Sequence, residues 1–339
     1  MKARAGVLPG LGLALGAAMV AATAIGSVEV PVSATLAILG KCLGFPTGPV
    51  DQKWEAIVVL IRLPRVLGAA LIGAALATAG AVLQSLLRNP MADPGLLGVS
   101  SGAGFGAVLS IGLGLASQSL WFTPLFAVAG ALTASAVIVG LSLRKGQMPV
   151  FTLILAGLAV STFFGAGTSL VLSLVSHDNV AQFLFWAMGT LANTRWDTLG
   201  LAAAPVALGM TGLLLFGRDL NVLALGEAQA RSLGVDVPGT RLTLMVLVSV
   251  TTAGAVCTSG PVGFVGLMVP PMLRLVLGPD NRMLLPASAL GGAVFLVVCD
   301  LISRVVSGPL EVNVGIVTSL LGAPYFLFLL VRASREKAA

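Results

Sequence analysis

The chain has 339 residues, of which 19 are Lys or Arg, 13 are Asp or Glu and 57% are hydrophobic, and its mean hydropathy is +1.03. A soluble globule, about a quarter charged, is excluded. The apolar residues form long uniform runs rather than the polar–apolar alternation of an outer-membrane strand, so the expected fold class is an all-α polytopic membrane protein.

Ten stretches are apolar over about 20 residues, the length that crosses a bilayer: near 7–28, 57–83, 95–115, 120–143, 150–175, 197–216, 240–258, 262–277, 284–305 and 312–332. The first follows Lys2 and Arg4 and contains Ala22-Thr23-Ala24, which looks like a signal-peptide cleavage site. Its retention as an anchor is expected, because removal would leave nine spans and move one terminus across the membrane. The second span carries Arg62-Leu-Pro-Arg65 towards its outer end and contains Gly73-Ala-Ala-Leu-Ala77, and the third contains Gly98-Val-Ser-Ser-Gly102. These small-xxx-small patterns predict seams where helices approach closely. Gly102-Ala-Gly104-Phe-Gly106 lacks the strand–turn–helix setting of a nucleotide loop and is read as packing. His177, the one histidine, falls after the fifth span as a solvated loop residue.

Thr78-Ala-Gly-Ala-Val82 in the second span recurs as Thr252-Ala-Gly-Ala-Val256 in the seventh. A Gly/Pro-rich stretch follows each copy, Asn89 to Gly95 in one case and Ser259 to Phe264 in the other. Five spans apart, the copies run in opposite directions, which predicts an inverted internal repeat.

Lys41, Lys53, Arg62, Arg65, Arg195 and Arg304 fall on one side of this topology, and the other 13 basic residues on the opposite side. The positive-inside rule then puts both termini in the cytoplasm, and the basic excess reads as topology, with no need for nucleic acid. The longest cytoplasmic connection is 218–239. Within it Leu225, Ala228 and Leu233 can share an apolar face, while Glu227 and Arg231 have the spacing of an i,i+4 ion pair. Such a helix seats either in a cleft on another protein or on lipid.

No Gly-x-x-x-x-Gly-Lys-[Ser/Thr] loop is present, so ATP hydrolysis by this chain is not expected. No ionisable residue falls at the middle of a span, which argues against a proton-coupled carrier. Cys42, Cys257 and Cys299 are scattered and specify neither a disulfide framework nor a metal site. Met91, Met188 and Met268 are read as packing residues.

Several further segments complete a pattern: Gly80-Ala-Val-Leu-Gln84 leading to Arg88-Asn-Pro-Met-Ala-Asp-Pro-Gly-Leu-Leu-Gly98, Phe185-Trp-Ala-Met-Gly189, Leu225-Gly-Glu-Ala-Gln-Ala-Arg-Ser-Leu-Gly234, Gly263-Phe-Val-Gly-Leu-Met-Val-Pro270, Leu284-Leu-Pro286 and Gly315-Ile-Val-Thr-Ser-Leu-Leu-Gly-Ala-Pro324. With Arg62-Leu-Pro-Arg65, they make the chain resemble, over nearly its whole length, the iron-siderophore, haem and cobalamin permeases of ABC importers, often called FecCD-type. The resemblance implies one permease domain over 1–339, a type II importer fold of ten helices, in a bacterial inner membrane. It also implies a second copy that shares the path, two cytoplasmic subunits that hold ATP and magnesium, and a periplasmic substrate-binding protein. This chain would carry no catalytic residue, metal or cofactor.

By the same resemblance, Gly226, Glu227, Ala230, Arg231, Leu233 and Gly234 belong to a helix that couples to the ATPase. Arg62, Arg65 and Arg304 would receive acidic residues of the binding protein. Asn89, Pro90, Asp93, Pro94, Gly95, Gly263, Phe264, Gly266 and Pro270 would border the translocation region. The residues themselves leave alternatives open: Arg304 can pair with Asp300 one turn earlier, and Arg62 can anchor the start of a helix with Pro64 in its first turn.

One departure from the family pattern is Val269-Pro270-Pro271, where members commonly read Val-Pro-His at the inner end of the eighth span. Pro271 is expected to stiffen the turn before Arg274 near that helix end. Among cargoes a ferric siderophore ranks first, haem second and cobalamin third, by family frequency alone. An autonomous secondary transporter is the alternative that the inverted echo also allows.

Overall fold

The computed structural model describes residues 6–26, 28–46, 48–142, 150–306 and 311–338. Lys2, Arg4, Arg144 and Lys145, which contribute to the charge asymmetry, lie outside the described residues. In chain order the helices are α1 (Val7–Ala24), α2 (Val32–Cys42), α3 (Gln52–Leu86), α4 (Val99–Gly112), α5 (Phe122–Ser142), α6 (Val150–Leu174) and α7 (His177–Ala187). They continue with α8 (Trp196–Leu215), α9 (Gly217–Ala224), α10 (Glu227–Ser232), α11 (Val237–Ser259), α12 (Val265–Leu277), α13 (Asn281–Val305) and α14 (Val314–Ala338). Each of the ten expected spans meets a helix. Among the described residues seven of these helices are long and apolar enough to cross a bilayer, whereas α4, α12 and the apolar part of α14 are shorter.

The sequence pattern misses the shorter elements. Helix α2 falls between the first two expected spans; it closes a small satellite core in which Val30, Ala34, Ile38 and Val58 are buried. The connection after α8 is two helices rather than one, broken at Gly226, whose φ of 124° suits a residue without a side chain. His177 begins α7 and is exposed, with Ser176 Oγ accepting from the Asn179 amide at 3.5 Å.

Helix α3 begins five residues before its expected start, and residues Ile57–Arg62 form a π-helical segment within it. Pro64 has no N–H, and its ring would press on the carbonyl of residue 60 in a regular helix. The wider turn, in which the Leu63 amide bonds the Val58 carbonyl, accommodates that ring. Arg62 therefore lies inside a continuous helix, and does not anchor a helix start.

Helix α3 forms the centre: 83% of its apolar window is buried, against 17% for α1 and α6. Burial at the centre requires close backbone approach, and the small residues permit it. A Cβ on Gly73 would stand 2.2 Å from the Gly292 carbonyl oxygen of α13, and one on Gly292 would meet Ala77 Cβ at 2.4 Å. Gly102 crosses Gly130 of α5 in the same manner, so the glycine run at 102–106 is a packing seam. We expect Gly292→Val to cost about 3 kcal/mol or more, because both backbones must move apart. Gly200→Ala, with no neighbouring atom within 4 Å of the added carbon, is the neutral control. Melting in detergent, compared between the two variants, measures the difference.

Candidate functional site

Three polar constellations lie along the bundle. At one end, Arg62, Arg65 and Arg304 converge, each no more than 8% exposed. The last turn of a helix leaves carbonyls without intrahelical partners and carries partial negative charge. Arg62 Nη1 donates to Thr23 O at 2.9 Å and Ala24 O at 2.7 Å, and Nη2 donates to Val28 O. Arg304 Nη2 donates to Ala22 O at 2.9 Å. Two guanidiniums from α3 and α13 thus cap the end of α1.

Arg65 is held differently. Its Nε donates to Asp300 Oδ1 at 2.9 Å and its Nη1 to Glu311 Oε2 at 2.7 Å. Arg304 Nε stands 3.2 Å from Asp300 Oδ2, an ion-pair distance without hydrogen-bond geometry, since that oxygen has no hydrogen-bond partner. The i,i+4 pairing of Arg304 with Asp300 is therefore observed. Asp300 is fully buried, and three guanidiniums face two carboxylates. A pocket of about 150 Å³ reaches this cluster past Gly26, Ile57 and Ile61.

Midway, the two sequence echoes meet. Thr78–Val82 and Thr252–Val256 are both buried, and Asp93, Pro94 and Gly95 from the stretch after the first copy share a cavity of about 20 Å³ with Thr252 and Gly266 from the second. That is room for one water molecule. Asp93 Oδ1 accepts from the Gly95 amide at 2.8 Å and so caps the 3-10 turn Pro94–Leu97. Asn89 Oδ1 accepts from the Met91 amide at 2.9 Å, while Pro90 is exposed. Phe264, at φ 68°, turns the chain into α12.

The prolines of α12 have a use here. Pro270 lacks the N–H that would bond the Gly266 carbonyl one turn back, and that carbonyl accepts from Gln84 Nε2 at 2.9 Å. A Cβ on Gly80 would lie 2.2 Å from the same oxygen, so α3 and α12 are locked face to face. Pro271 does not sit near a helix end as expected: it is buried mid-helix, and α12 runs on to Leu277. Gly263 lies apart from the small cavity, in an open groove of about 440 Å³ with Met188, Gly315 and Leu320.

At the far end, α10 is bonded to the bundle on one side and bare on the other. Ala230 is fully buried, whereas Leu225 and Leu233 are each 61% exposed. Gly234, at φ 84°, ends the helix, its amide bonding the Arg231 carbonyl at 3.0 Å. Glu227 pairs with Arg241 Nη1 at 2.7 Å rather than with Arg231. That pairing joins α10 to the first turns of α11, a contact that spacing along one helix could not reveal.

The preceding helix α9 is anchored through buried Leu220 and Leu223 and a polar chain. Asn221 Oδ1 accepts from Asn281 Nδ2 at 3.0 Å, Asn281 Oδ1 accepts from Ser85 Oγ at 2.7 Å, and Ser85 Oγ accepts from Arg274 Nη2 at 3.3 Å. Arg88 Nη2 donates to the Leu223 carbonyl. A push on α10 therefore has a bonded route into α3, α12 and α13. The sequence carries no signal for Asn221 or Asn281, because their partners lie far away in the chain.

Residues 13–332 match the FecCD transport family. The chain belongs to that family. Among FecCD-related proteins, the cobalamin import permease of Halobacterium salinarum is 46% identical over 83% of this chain and 75% of its own length. The hemin transport permease of Yersinia pestis is 40% identical over 85% and 86%, and the ferric dicitrate permease of Escherichia coli 39% over 88% and 96%. A solved ABC transporter structure, described as of metal-chelate type and inward-facing, superposes with a TM-score of 0.85 at 31% identity, covering 96% of this chain and 99% of that one. As a FecCD permease, the chain is a multi-pass transport subunit of an ABC importer.

Proposed function

We propose that this chain forms, with a second copy, the membrane path of an ATP-driven importer for a metal chelate, with a ferric siderophore as cargo. Two ATPase subunits bind at α10 and a substrate-binding protein at the arginine end, which places α10 and both termini in the cytoplasm of a bacterial inner membrane. The observation that carries this reading is α10 itself: a short helix tied to the bundle through Ala230 and Arg241 and flanked by the outward-facing Leu225 and Leu233. Two bare leucines flanked by charge suit a cleft on a partner protein.

The arginine cluster supports the docking role in a modified form. Arg62, Arg65 and Arg304 are already bonded within the subunit, so they do not offer free hands to a partner. Their positive excess over Asp300 and Glu311 draws an incoming carboxylate to the pocket, where Glu311, whose side chain is 33% exposed, is the displaceable partner of Arg65. Exchange of one carboxylate for another keeps the buried guanidinium paired.

A second reading of the cargo, cobalamin, is favoured by the 46% identity to the Halobacterium permease. The test is uptake into proteoliposomes that hold this chain and its ATPase, supplied with binding proteins loaded with ferric siderophore, haem or cobalamin. Siderophore uptake that requires ATP is the expected result. Uptake of cobalamin alone would replace the cargo, and uptake driven by an ion gradient without any ATPase would overturn the importer reading in favour of a secondary transporter.

A further inference from the structure

A pocket of about 480 Å³ opens in the chain at the arginine end, between the turn after α4, helix α7 and the start of α8. Its size falls within the range of small-molecule sites, and it is separate from the cluster at Arg62. Its walls divide by chemistry. Leu120, Phe185 and Trp186 make an apolar side, and Gln182, Asn193 and Arg195 a polar one. Among the described residues no carboxylate lies within ion-pair distance of Arg195, and the Gln182 and Asn193 amides make no internal hydrogen bond. Three donor-bearing side chains without an internal side-chain partner therefore line one wall of the pocket.

The position adds a second argument. Trp121 and Trp196, each 42% exposed, stand beside the pocket in sequence, and exposed tryptophans gather at the level of lipid headgroups. We propose that this pocket binds an amphiphile with a phosphate or carboxylate head, the head on Arg195 and the apolar body against Trp186 and Leu120. An anionic phospholipid and a free anionic amphiphile share this chemistry. A bound ligand would also bear on transport, because the 185–190 segment forms a wall of this pocket and, through Ala187 and Met188, of the groove at Gly263 and Gly315.

The test places the purified full chain in nanodiscs of phosphatidylcholine with a minor fraction of brominated phosphatidylglycerol. Tryptophan emission is expected to be quenched more than by brominated phosphatidylcholine, and Trp186→Phe should remove that excess. Arg195→Gln should weaken the effect about tenfold, as loss of one charge-assisted hydrogen bond implies, and Arg195→Lys should restore most of it. Thr258→Phe, which fills the pocket without changing charge, should block binding while melting as the native protein does. Octyl phosphate titrated in detergent provides the second arm. Binding there without a phosphatidylglycerol preference in nanodiscs would assign the site to a free amphiphile. Equal quenching by both lipids together with no octyl phosphate binding, or an Arg195→Gln protein that behaves as native, would overturn the proposal. Neither arm uses an ATPase or a binding protein, so failure here leaves the importer reading standing.

Discussion

Replacing Glu227 by lysine is expected to reduce ATP-driven uptake at least about tenfold while the ATPase still hydrolyses ATP. The expectation rests on two effects acting in the same direction. Within the subunit, the lysine would face Arg241, whose Nη1 now holds Glu227 Oε1 at 2.7 Å, so an attraction becomes a repulsion and α10 loses one of its ties to α11. At the surface, Glu227 keeps 44% of its side chain exposed beside the bare leucines, so the charge presented to a partner reverses. Losing a hydrogen-bonded charge at an interface costs about 2–5 kcal/mol, and about 1.4 kcal/mol is already tenfold. The swap Glu227→Lys with Arg241→Glu separates the two effects, since it rebuilds the internal pair but leaves the outward charge reversed. Uptake should stay low in the swap, measured against hydrolysis in the same proteoliposomes. Recovery in the swap would assign Glu227 a purely internal role, and intact coupling in the single variant would remove α10 from the ATPase interface.

Asp300→Asn is expected to be the most destabilising single change at the arginine cluster. Asp300 is fully buried and faces Arg65 at 2.9 Å and Arg304 at 3.2 Å. Asparagine keeps the shape and removes the charge, leaving three guanidiniums with Glu311 alone. Breaking a buried ion pair by neutralising one partner costs about 3–5 kcal/mol, because the surviving charges stay desolvated. The loss would spread beyond the pair, since Arg304 also holds the end of α1 through Ala22 O. Glu311→Gln is the comparison: its carboxylate is one-third exposed, solvent screens it, and a change below about 1 kcal/mol is expected. Thermal unfolding of the two proteins in detergent should separate them clearly. Equal melting of both variants would mean that the cluster contributes little to the fold.

The two predictions differ in how far their residues could be read in advance. Glu227 stands out in the sequence because it lies in the longest cytoplasmic connection with Arg231 four residues on. Its partner is another matter: helical spacing pointed to Arg231, and Arg241 was reached only because the turn after Gly234 folds α11 back beside α10. Arg304 and Asp300 are one turn apart and their pairing follows from helical geometry. Arg65 joins Asp300 and Glu311 across more than 200 residues of chain, a distance that no local pattern spans.

Hydropathy, glycine spacing and the repeated Thr-Ala-Gly-Ala-Val segment determined that the chain is an all-α membrane protein with close-packed seams, because bilayer thickness and backbone hydrogen bonding constrain every span locally. Side-chain burial at the span ends was decided only by the tertiary structure. There, unpaired helix-end carbonyls and fixed charges must be satisfied by whatever neighbour the bundle brings near. The arginines at 62, 65 and 304 fall at outer span ends in the sequence, and the bundle buries them there as internal ties among α1, α3 and α13.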